Sequence, residues 1–271
     1  YPAYNVAQML YMGNITIGTP LQEFQVVLDT DHLSLTLPPC FPPLAPDDTH
    51  LFCLQLHKSS TFRPTQKTFS IAYGSGSIKH IHRNTHISPK IGDLVSTDQV
   101  FSLSLVESGF EGIPFDGVLG LNYPNISFTG AIPIFDNLEN QGTISEPVFA
   151  FSLRKMQGRG SVVIFGGMDK PTTRERSTIP LIQAGDWHVH MDRISMKRKV
   201  IASSGSERPL WTSLILGPRK LISNIQKLIS TTPWHSELNY VSCFVVDTLF
   251  SIIFTINGIK YPVLAQAYIL K

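Results

Sequence analysis

Short runs of β-branched and aromatic residues, separated by turn residues, extend along the whole chain. Runs of this kind lie at 14–18, 22–30, 68–73, 160–166 and 250–256. They favour β-strands, and the 19 glycines and 19 prolines supply turns between them. Helical patterns stand out at 133–141 and 218–229, each opening at a proline. The sequence therefore predicts an all-β fold of the sandwich or barrel-like class with few short helices.

The length of the chain predicts two lobes, and its net charge excludes some classes of binding partner. The chain has 271 residues, and its polar segment 168–180 follows a Gly-Gly pair, which predicts one lobe over 1–167 and a second over 168–271. Lys and Arg number 22 against 20 Asp and Glu, a net charge of +2 that indicates no nucleic-acid partner and no membrane surface. Apolar runs such as 243–256 are too short and too interrupted to span a bilayer. We interpret Lys197-Arg198-Lys199 as a solvated turn. Since the sequence opens at Tyr1 without a charged-then-apolar leader, we interpret it as a mature or trimmed chain whose targeting signal, if any, has been removed.

Cysteine and asparagine patterns indicate a secretory route. Cys40 and Cys53 flank a proline-rich loop and could form a short-range disulfide, which leaves Cys243 over. Asn14-Ile-Thr and Asn125-Ile-Ser are acceptor triplets for glycosylation. Together these features favour an oxidising compartment and secretion.

The segment 26–30 (VVLDT) is an apolar strand that ends in Asp29. A carboxylate at the end of a buried strand is unfavourable unless it is hydrogen-bonded or used, although an Asp that opens a turn is the ordinary alternative. Three further motifs surround it: 13–20 (GNITIGTP), 71–77 (IAYGSGS) and 115–121 (FDGVLGL).

In this order and spacing, the four motifs resemble the pepsin-like family of aspartic peptidases, over about residue 9 to residue 271. Other stretches, such as 183–195 (QAGDWHVHMDRIS), are similar to its pregnancy-associated glycoprotein branch, whose members are secreted and glycosylated. The resemblance implies a bilobal, mostly β fold with a peptide-binding cleft between the lobes. It also implies further residues that would complete the second lobe and pair with Cys243. We expect a monomer that binds a peptide or protein ligand and needs no cofactor.

The chemistry of this family needs two carboxylates that share one proton and hold a water between them. The first-lobe pattern Asp-Thr-Gly-Ser appears here as Asp29, Thr30, Asp31 and His32. The glycine position therefore carries a side chain that must enter the site or displace the loop.

The second lobe departs further from the family pattern. Counting back from Gly217-Pro218, the segment that should contain Asp-Thr-Gly-Thr reads Pro209, Leu210, Trp211 and Thr212. Proline can neither hold a proton nor donate one from its backbone nitrogen, so we interpret Asp29 as the remaining half of the catalytic pair. Asp31 is a poor substitute, because two residues along a strand separate its Cα from that of Asp29 by about 6–7 Å.

The resemblance assigns the flap that covers a bound peptide to Tyr73, Gly74, Ser75 and Gly76. The tryptophan that usually binds the flap tyrosine is replaced by Thr36. Leu210 likewise removes one end of the hydrogen-bond brace that joins the two catalytic threonines. These departures favour an inactive homologue, and an active acid endopeptidase remains the alternative.

Alternating His80, His82 and His86 could indicate a metal site, since alternate residues of a strand share one face. Neither Cys nor Glu completes a ligand set nearby, so we prefer polar alternation on an exposed strand and predict no metal.

Overall fold

The computed structural model describes the residues at 2–6, 10–30, 32, 35–37, 54, 58–60, 62–63, 85–103, 115–124, 131–153, 158–167, 178–183, 185, 187–203, 208–209, 215, 217–233 and 239–269. Contacts within the chain divide it into two compact units, Tyr1–Glu175 and Arg176–Lys271. The described part is mostly β-strand with few short helices, which confirms the predicted fold class. No helix in it is both long and apolar enough to cross a membrane.

The first unit contains a sheet of eleven strands. Its strands are β1 (Pro2–Val6), β2 (Leu10–Ile17), β3 (Gln22–Asp29), β4 (Leu35–Leu37), β5 (Thr85–Ile87), β6 (Pro89–Ile91), β7 (Leu94–Val95), β8 (Gln99–Leu103), β9 (Gly117–Gly120), β10 (Phe149–Ser152) and β11 (Gly158–Phe165). The predicted runs at 14–18, 22–30 and 160–166 fall on β2, β3 and β11. The predicted run at 68–73 lies outside the described residues.

The strand β3 lies inside this sheet, whose order is β10-β11-β1-β2-β3-β9-β4-β8-β5, with β6 paired to β2 and β7. It pairs antiparallel with β2 and parallel with β9, so that Val26 aligns with Gly117 and Asp29 with Gly120. Because β3 is hydrogen-bonded on both sides, the position of Asp29 is fixed by the sheet.

The core of the first unit is built from apolar side chains of these strands and of one helix, α1 (Ile134–Asn140). Helix α1 begins after Pro133 and buries Ile134 and Leu138, which confirms the helix predicted at 133–141. The largest fully buried core residues include Ile15, Ile17, Phe24, Leu35, Leu37, Phe101, Leu119 and Leu121.

A buried polar cluster attaches α1 to the segment that joins β7 and β8. The Asn137 Nδ2 donates to Ser96 Oγ at 2.9 Å and to Gln99 Oε1 at 3.1 Å. Both Ser96 and Gln99 are 1% exposed. Buried polar groups are tolerated when they are hydrogen-bonded, so this cluster fixes the helix without leaving these side-chain atoms unsatisfied.

The described residues of the second unit form smaller sheets, two α-helices and one 3-10 helix. Its elements are β12 (His188–Val189), β13 (Arg193–Met196), β14 (Lys199–Ser203), β15 (Arg208–Pro209), α2 (Arg219–Ile229), β16 (Thr232–Pro233), β17 (Asn239–Tyr240), a 3-10 helix (Cys243–Thr248), β18 (Ile252–Ile256), β19 (Ile259–Val263) and α3 (Ala265–Tyr268). The largest sheet has the order β14-β13-β18-β19, and β12 pairs with β15.

Helix α2 packs its apolar face into the core of this unit. It begins after Pro218, and its side chains Leu221, Ile225 and Ile229 are buried, at the spacing of one helix face. They form one cluster with Met191, Ile194, Met196 and Ile252. The helix predicted at 218–229 is confirmed.

Two hairpins of this sheet use the same tight turn with different residues. The β18–β19 turn contains Asn257 and Gly258, both with positive φ (49° and 76°). The β13–β14 turn contains Lys197 and Arg198, with φ of 51° and 62°. Two positive φ values define a type I′ turn, for which Asn-Gly is the preferred pair. Lys and Arg are therefore strained at this turn, since left-handed backbone is unfavourable for side chains other than Gly, Asn and Asp.

We expect Lys197→Asn/Arg198→Gly to raise the free energy of unfolding by about 1 kcal/mol, because relief of the left-handed strain exceeds the losses. One loss is the contact of Lys197 Nζ with the Phe250 ring, 4.9 Å from its centroid, which contributes about 0.5–1 kcal/mol at an exposed site. The melting temperature should rise by about 2–4 °C. A lower melting temperature would contradict this account of the turn.

A second prediction concerns Asp136, in the first turn of α1. Burial raises the pKa of Asp136, as does the nearby Glu139, while a backbone hydrogen bond partly lowers it. The folded state thus binds the proton more tightly than the unfolded state, and stability falls as pH rises through the raised pKa. Asp136→Asn should match the original protein at about pH 3 and become the more stable of the two as the carboxyl ionises. Urea unfolding from pH 3 to 7 measures this difference, and Glu139→Gln should make it smaller.

Candidate functional site

Asp29 is the last residue of an apolar strand and lies at the edge of the buried core. The preceding Val26, Val27 and Leu28 are buried, whereas the Asp29 side chain is 26% exposed. Its Cα pairs with that of Gly120 on the parallel neighbour β9. The strand therefore presents a carboxylate where the sheet meets the following loop.

Backbone hydrogen bonds attach this loop to the segment after β9. The Leu121 N–H donates to Asp29 O at 2.8 Å, and the Asn122 N–H donates to His32 O at 3.0 Å. Asn122 is 5% exposed, and its Oδ1 accepts from the Tyr123 N–H at 2.8 Å. Both ends of the segment 29–32 are thus fixed by a neighbouring chain segment. Burial raises the pKa of Tyr123, and the Asp136 carboxylate raises it further.

The motif 115–121 holds β3 from the other end. The Asp116 N–H donates to Gln25 O, and Asp116 Oδ2 accepts from the Gln25 N–H, both at 2.7 Å. A Cβ at Gly117 would overlap the Thr36 carbonyl oxygen and lie 2.7 Å from Leu37 Cδ2. Only glycine therefore allows β9 to pack this closely against β4.

The His32 ring binds the Asp29 carboxylate. Its Nδ1 lies 2.7 Å from Asp29 Oδ2, and the His32 side chain is 20% exposed. An ionised carboxylate only accepts hydrogen bonds, so Nδ1 carries the proton in this contact. The sequence placed His32 in the serine position of the family pattern but did not predict this contact. Its only signal was the spacing of three residues from Asp29.

Two threonine hydroxyls near Asp29 in sequence are buried. Thr30 is 3% exposed and Thr36, on β4, is 7% exposed. Among the described residues, neither Oγ1 atom finds a hydrogen-bond partner. A buried hydroxyl without a partner is unfavourable and uncommon. Thr36 stands where the family resemblance expects a tryptophan.

The second-lobe residues are only partly visible. Pro209 lies in β15, where its Cα pairs with that of His188 on β12. Gly217 and Pro218, from which the motif was counted, lead into α2. Several predicted site residues lie outside the described part of the chain: Asp31, Tyr73, Gly74, Ser75, Gly76, Leu210, Trp211 and Thr212.

Of the glycosylation sites and the Cys40–Cys53 pair that the sequence predicts, only Asn14 lies within the described part of the chain. Asn14 lies on β2, half-buried, and its Nδ2 donates to Glu23 Oε1 at 2.6 Å. Asn125, Cys40 and Cys53 lie outside the described residues. Cys243 is an exposed free thiol at the start of the 3-10 helix.

The predicted histidine alternation is visible only at His86, on β5. His80 and His82 lie outside the described residues. Within the described ranges, no three His, Cys, Asp or Glu side chains group as metal ligands would.

Comparison with known proteins agrees with the motifs. The eukaryotic aspartyl protease family matches residues 10–271. Pregnancy-associated glycoprotein 1 of Bos taurus is 57% identical over 275 residues, which cover all of this chain and 71% of the relative. Its namesake in Ovis aries is 53% identical over 277 residues, covering all of this chain and 72% of the relative. Pepsin A of Suncus murinus is 41% identical over 278 residues, covering all of this chain and 70% of the relative. The chain belongs to the eukaryotic aspartyl protease family, with a pepsin-like fold and pregnancy-associated glycoproteins among its relatives.

Proposed function

We propose that this chain is a catalytically inactive member of its family that still binds peptides. The observation that carries the proposal is Pro209, which stands where the family motif requires the second aspartate. The family mechanism needs one carboxylate as a base towards water and a second as an acid towards the peptide carbonyl. A proline side chain can supply neither function.

The contact between His32 and Asp29 supports the proposal. In the family mechanism, one carboxylate of the pair acts as the base towards the water that attacks the substrate. Here Asp29 Oδ2 accepts a hydrogen bond from His32 Nδ1 at 2.7 Å. That bond uses one acceptor position of the carboxylate. It also places an imidazole ring beside the carboxylate, where the family pattern has the small hydroxyl of a serine. The base half of the mechanism is therefore altered as well as the acid half.

The buried hydroxyl of Thr30 is also consistent with a lost brace. In the family resemblance this threonine is one of two that join the catalytic loops, and its counterpart is Leu210 here. Thr30 Oγ1 is buried and has no hydrogen-bond partner among the described residues. A leucine side chain could not provide one.

Peptide binding does not require the acid pair. Extended peptides bind proteases and related domains through main-chain hydrogen bonds, with pockets for alternate side chains. The loop that carries Asp29 is attached to Leu121 and Asn122, and the sequence contains the flap motif that begins at Tyr73. We expect binding to depend on these segments.

The proposal includes secretion as a glycoprotein. The acceptor triplets at Asn14 and Asn125 and the Cys40–Cys53 pair support an oxidising route. At Asn14 the attached glycan would replace one N–H of Nδ2, the atom that contacts Glu23.

An active endopeptidase is the second candidate function. The contact between Asp29 and His32 favours one version of it, in which His32 is the catalytic base. With Nδ1 bound to a carboxylate, the other ring nitrogen could act as a base towards water, because a carboxylate orients an imidazole in this way. Such an enzyme would work best near neutral pH, whereas a carboxylate pair works best in acid.

We expect no hydrolysis above background from pH 2 to 7 with a mixed library of fluorogenic peptides. Restoring the family motifs with Asp31→Gly, His32→Ser, Pro209→Asp, Leu210→Thr and Trp211→Gly should create measurable cleavage in acid. Adding Asp29→Asn to this variant should reduce the rate by about 10²–10⁴, the usual contribution of an acid–base group.

Steady cleavage by the unmodified chain, abolished by Asp29→Asn, would contradict the proposal. The pH optimum of that cleavage would distinguish a carboxylate pair from a histidine base.

A separate experiment tests whether the chain binds peptides. A transition-state-mimicking inhibitor and a ground-state peptide with the same side chains should bind the chain with similar Kd. An active site would bind the inhibitor at least about 100-fold more tightly.

A further inference from the structure

We propose that the second unit carries a docking surface for a sulfated glycosaminoglycan, centred on the β13–β14 hairpin. The surface, here called the basic face, consists of Lys197 and Arg198 at the turn, with Arg193 and Lys260 on the adjoining sheet. Lys199 aligns with the buried Met196 and therefore lies on the other face of the sheet. The basic face is separate from Asp29, and the proposal does not depend on whether that site is active.

The charge of the chain is divided unevenly. Residues 176–271 contain eleven Lys and Arg against five Asp and Glu, a net charge of +6. Residues 1–175 contain eleven against fifteen, a net charge of −4. The overall charge of +2 is therefore the sum of an acidic first unit and a strongly basic second unit. A concentrated positive field attracts polyanions and accelerates their association.

The basic side chains described in this unit are exposed, and no ion pair among the described residues neutralises them. All four residues of the basic face are exposed, as are Lys199 on β14 and Arg219, Lys220 and Lys227 on α2. None of them pairs with an acidic side chain in the described part of the chain. The two acids described in this unit have other partners, since Asp192 accepts from the Gly258 N–H and Asp247 from Gln266 Nε2.

The hairpin turn retains basic residues where the backbone disfavours them. Both Lys197 and Arg198 have positive φ, while the neighbouring hairpin meets the same demand with Asn257 and Gly258. A strained residue that the local fold does not require is a reason to look for a function. The two cations stand side by side at the exposed end of the hairpin.

The spread of the charges indicates a polymer as the partner. Arg193 and Lys260 both align with Thr255, one on each side of it, so they share a sheet face and lie about 10 Å apart. Four residues of strand separate Arg193 from Lys197 by about 13 Å. A single small anion cannot reach cations spaced in this way, whereas a chain with repeated sulfates can.

A lipid surface fits less well. An amphipathic helix that lies on a membrane needs a free apolar face, but the apolar face of α2 is buried in the core. The exposed Phe250 ring has Lys197 Nζ 4.9 Å from its centroid. The cations of the basic face lie on a sheet and not on an amphipathic helix, and the apolar side chains exposed beside them, Val200 and Ile259, belong to the same sheet.

The test uses heparin as the probe and the whole 271-residue chain. Isothermal titration over a range of NaCl concentrations should show binding that weakens as salt rises. Lys197→Asn/Arg198→Gly should weaken binding about tenfold at fixed salt and reduce the slope of log K against log salt by about two, one for each cation removed. The same variant should melt no lower than the original chain, so weaker binding could not be ascribed to unfolding.

The matched control is Lys58→Gln/Arg63→Gln, which removes two exposed cations from the first unit. It changes the net charge equally and should leave heparin affinity within about twofold, since these cations lie outside the basic face. Three results would overturn the proposal: no heparin binding at low salt, equal weakening by both variants, or binding to phosphatidylserine vesicles without binding to heparin.

Discussion

Parallel pairing between β3 and β9 is the constraint on which the site depends. Asp116 fixes one end of the pair through two hydrogen bonds with Gln25, and Leu121 fixes the other through the Asp29 carbonyl. Gly117 lets β9 approach β4 so closely that no side chain fits between them. The register that results places Asp29 opposite Gly120, at the end of both strands. The position of Asp29 is thus determined by backbone geometry.

Under the proposed loss of activity, this backbone geometry would allow the scaffold to remain without its chemistry. The apolar residues of β3 and the motif around Asp116 serve folding as well as catalysis, because they build the core of the first unit. The glycine and serine after the active-site threonine serve the chemistry more directly, and here they are Asp31 and His32. Under the proposed loss of activity, the residues that build the sheet would be retained while those that serve only the reaction drift.

The sequence predicted the elements better than the contacts. The two predicted helices were identified because each has a proline at its start and apolar residues at helical spacing, and the structure begins them at Ile134 and Arg219. The 3-10 helix Cys243–Thr248 and α3 were not predicted. Asp29 was recognised because an apolar strand ends in a carboxylate and three further family motifs surround it. The bond from His32 to Asp29 was not predicted, because the direction of a side chain in a loop is set by backbone angles that residue spacing does not reveal. The backbone strain at Lys197 and Arg198 was not predicted either. Consecutive basic residues in a sequence indicate only a solvated turn, and the strain is evident only from the positive φ values.

The central claim is that Asp29 no longer has a second acid with which to share a proton. The most direct measurement is a titration of the Asp29 carboxyl carbon by ¹³C NMR between pH 2 and 6, in the original chain and in Pro209→Asp. The claim predicts a single carboxyl protonation step in the original chain. In Pro209→Asp it predicts two coupled steps, as for paired acids that share a proton. Two coupled acid steps in the original chain that persist in His32→Ser would show that another carboxyl group replaces the missing aspartate, and would contradict the account.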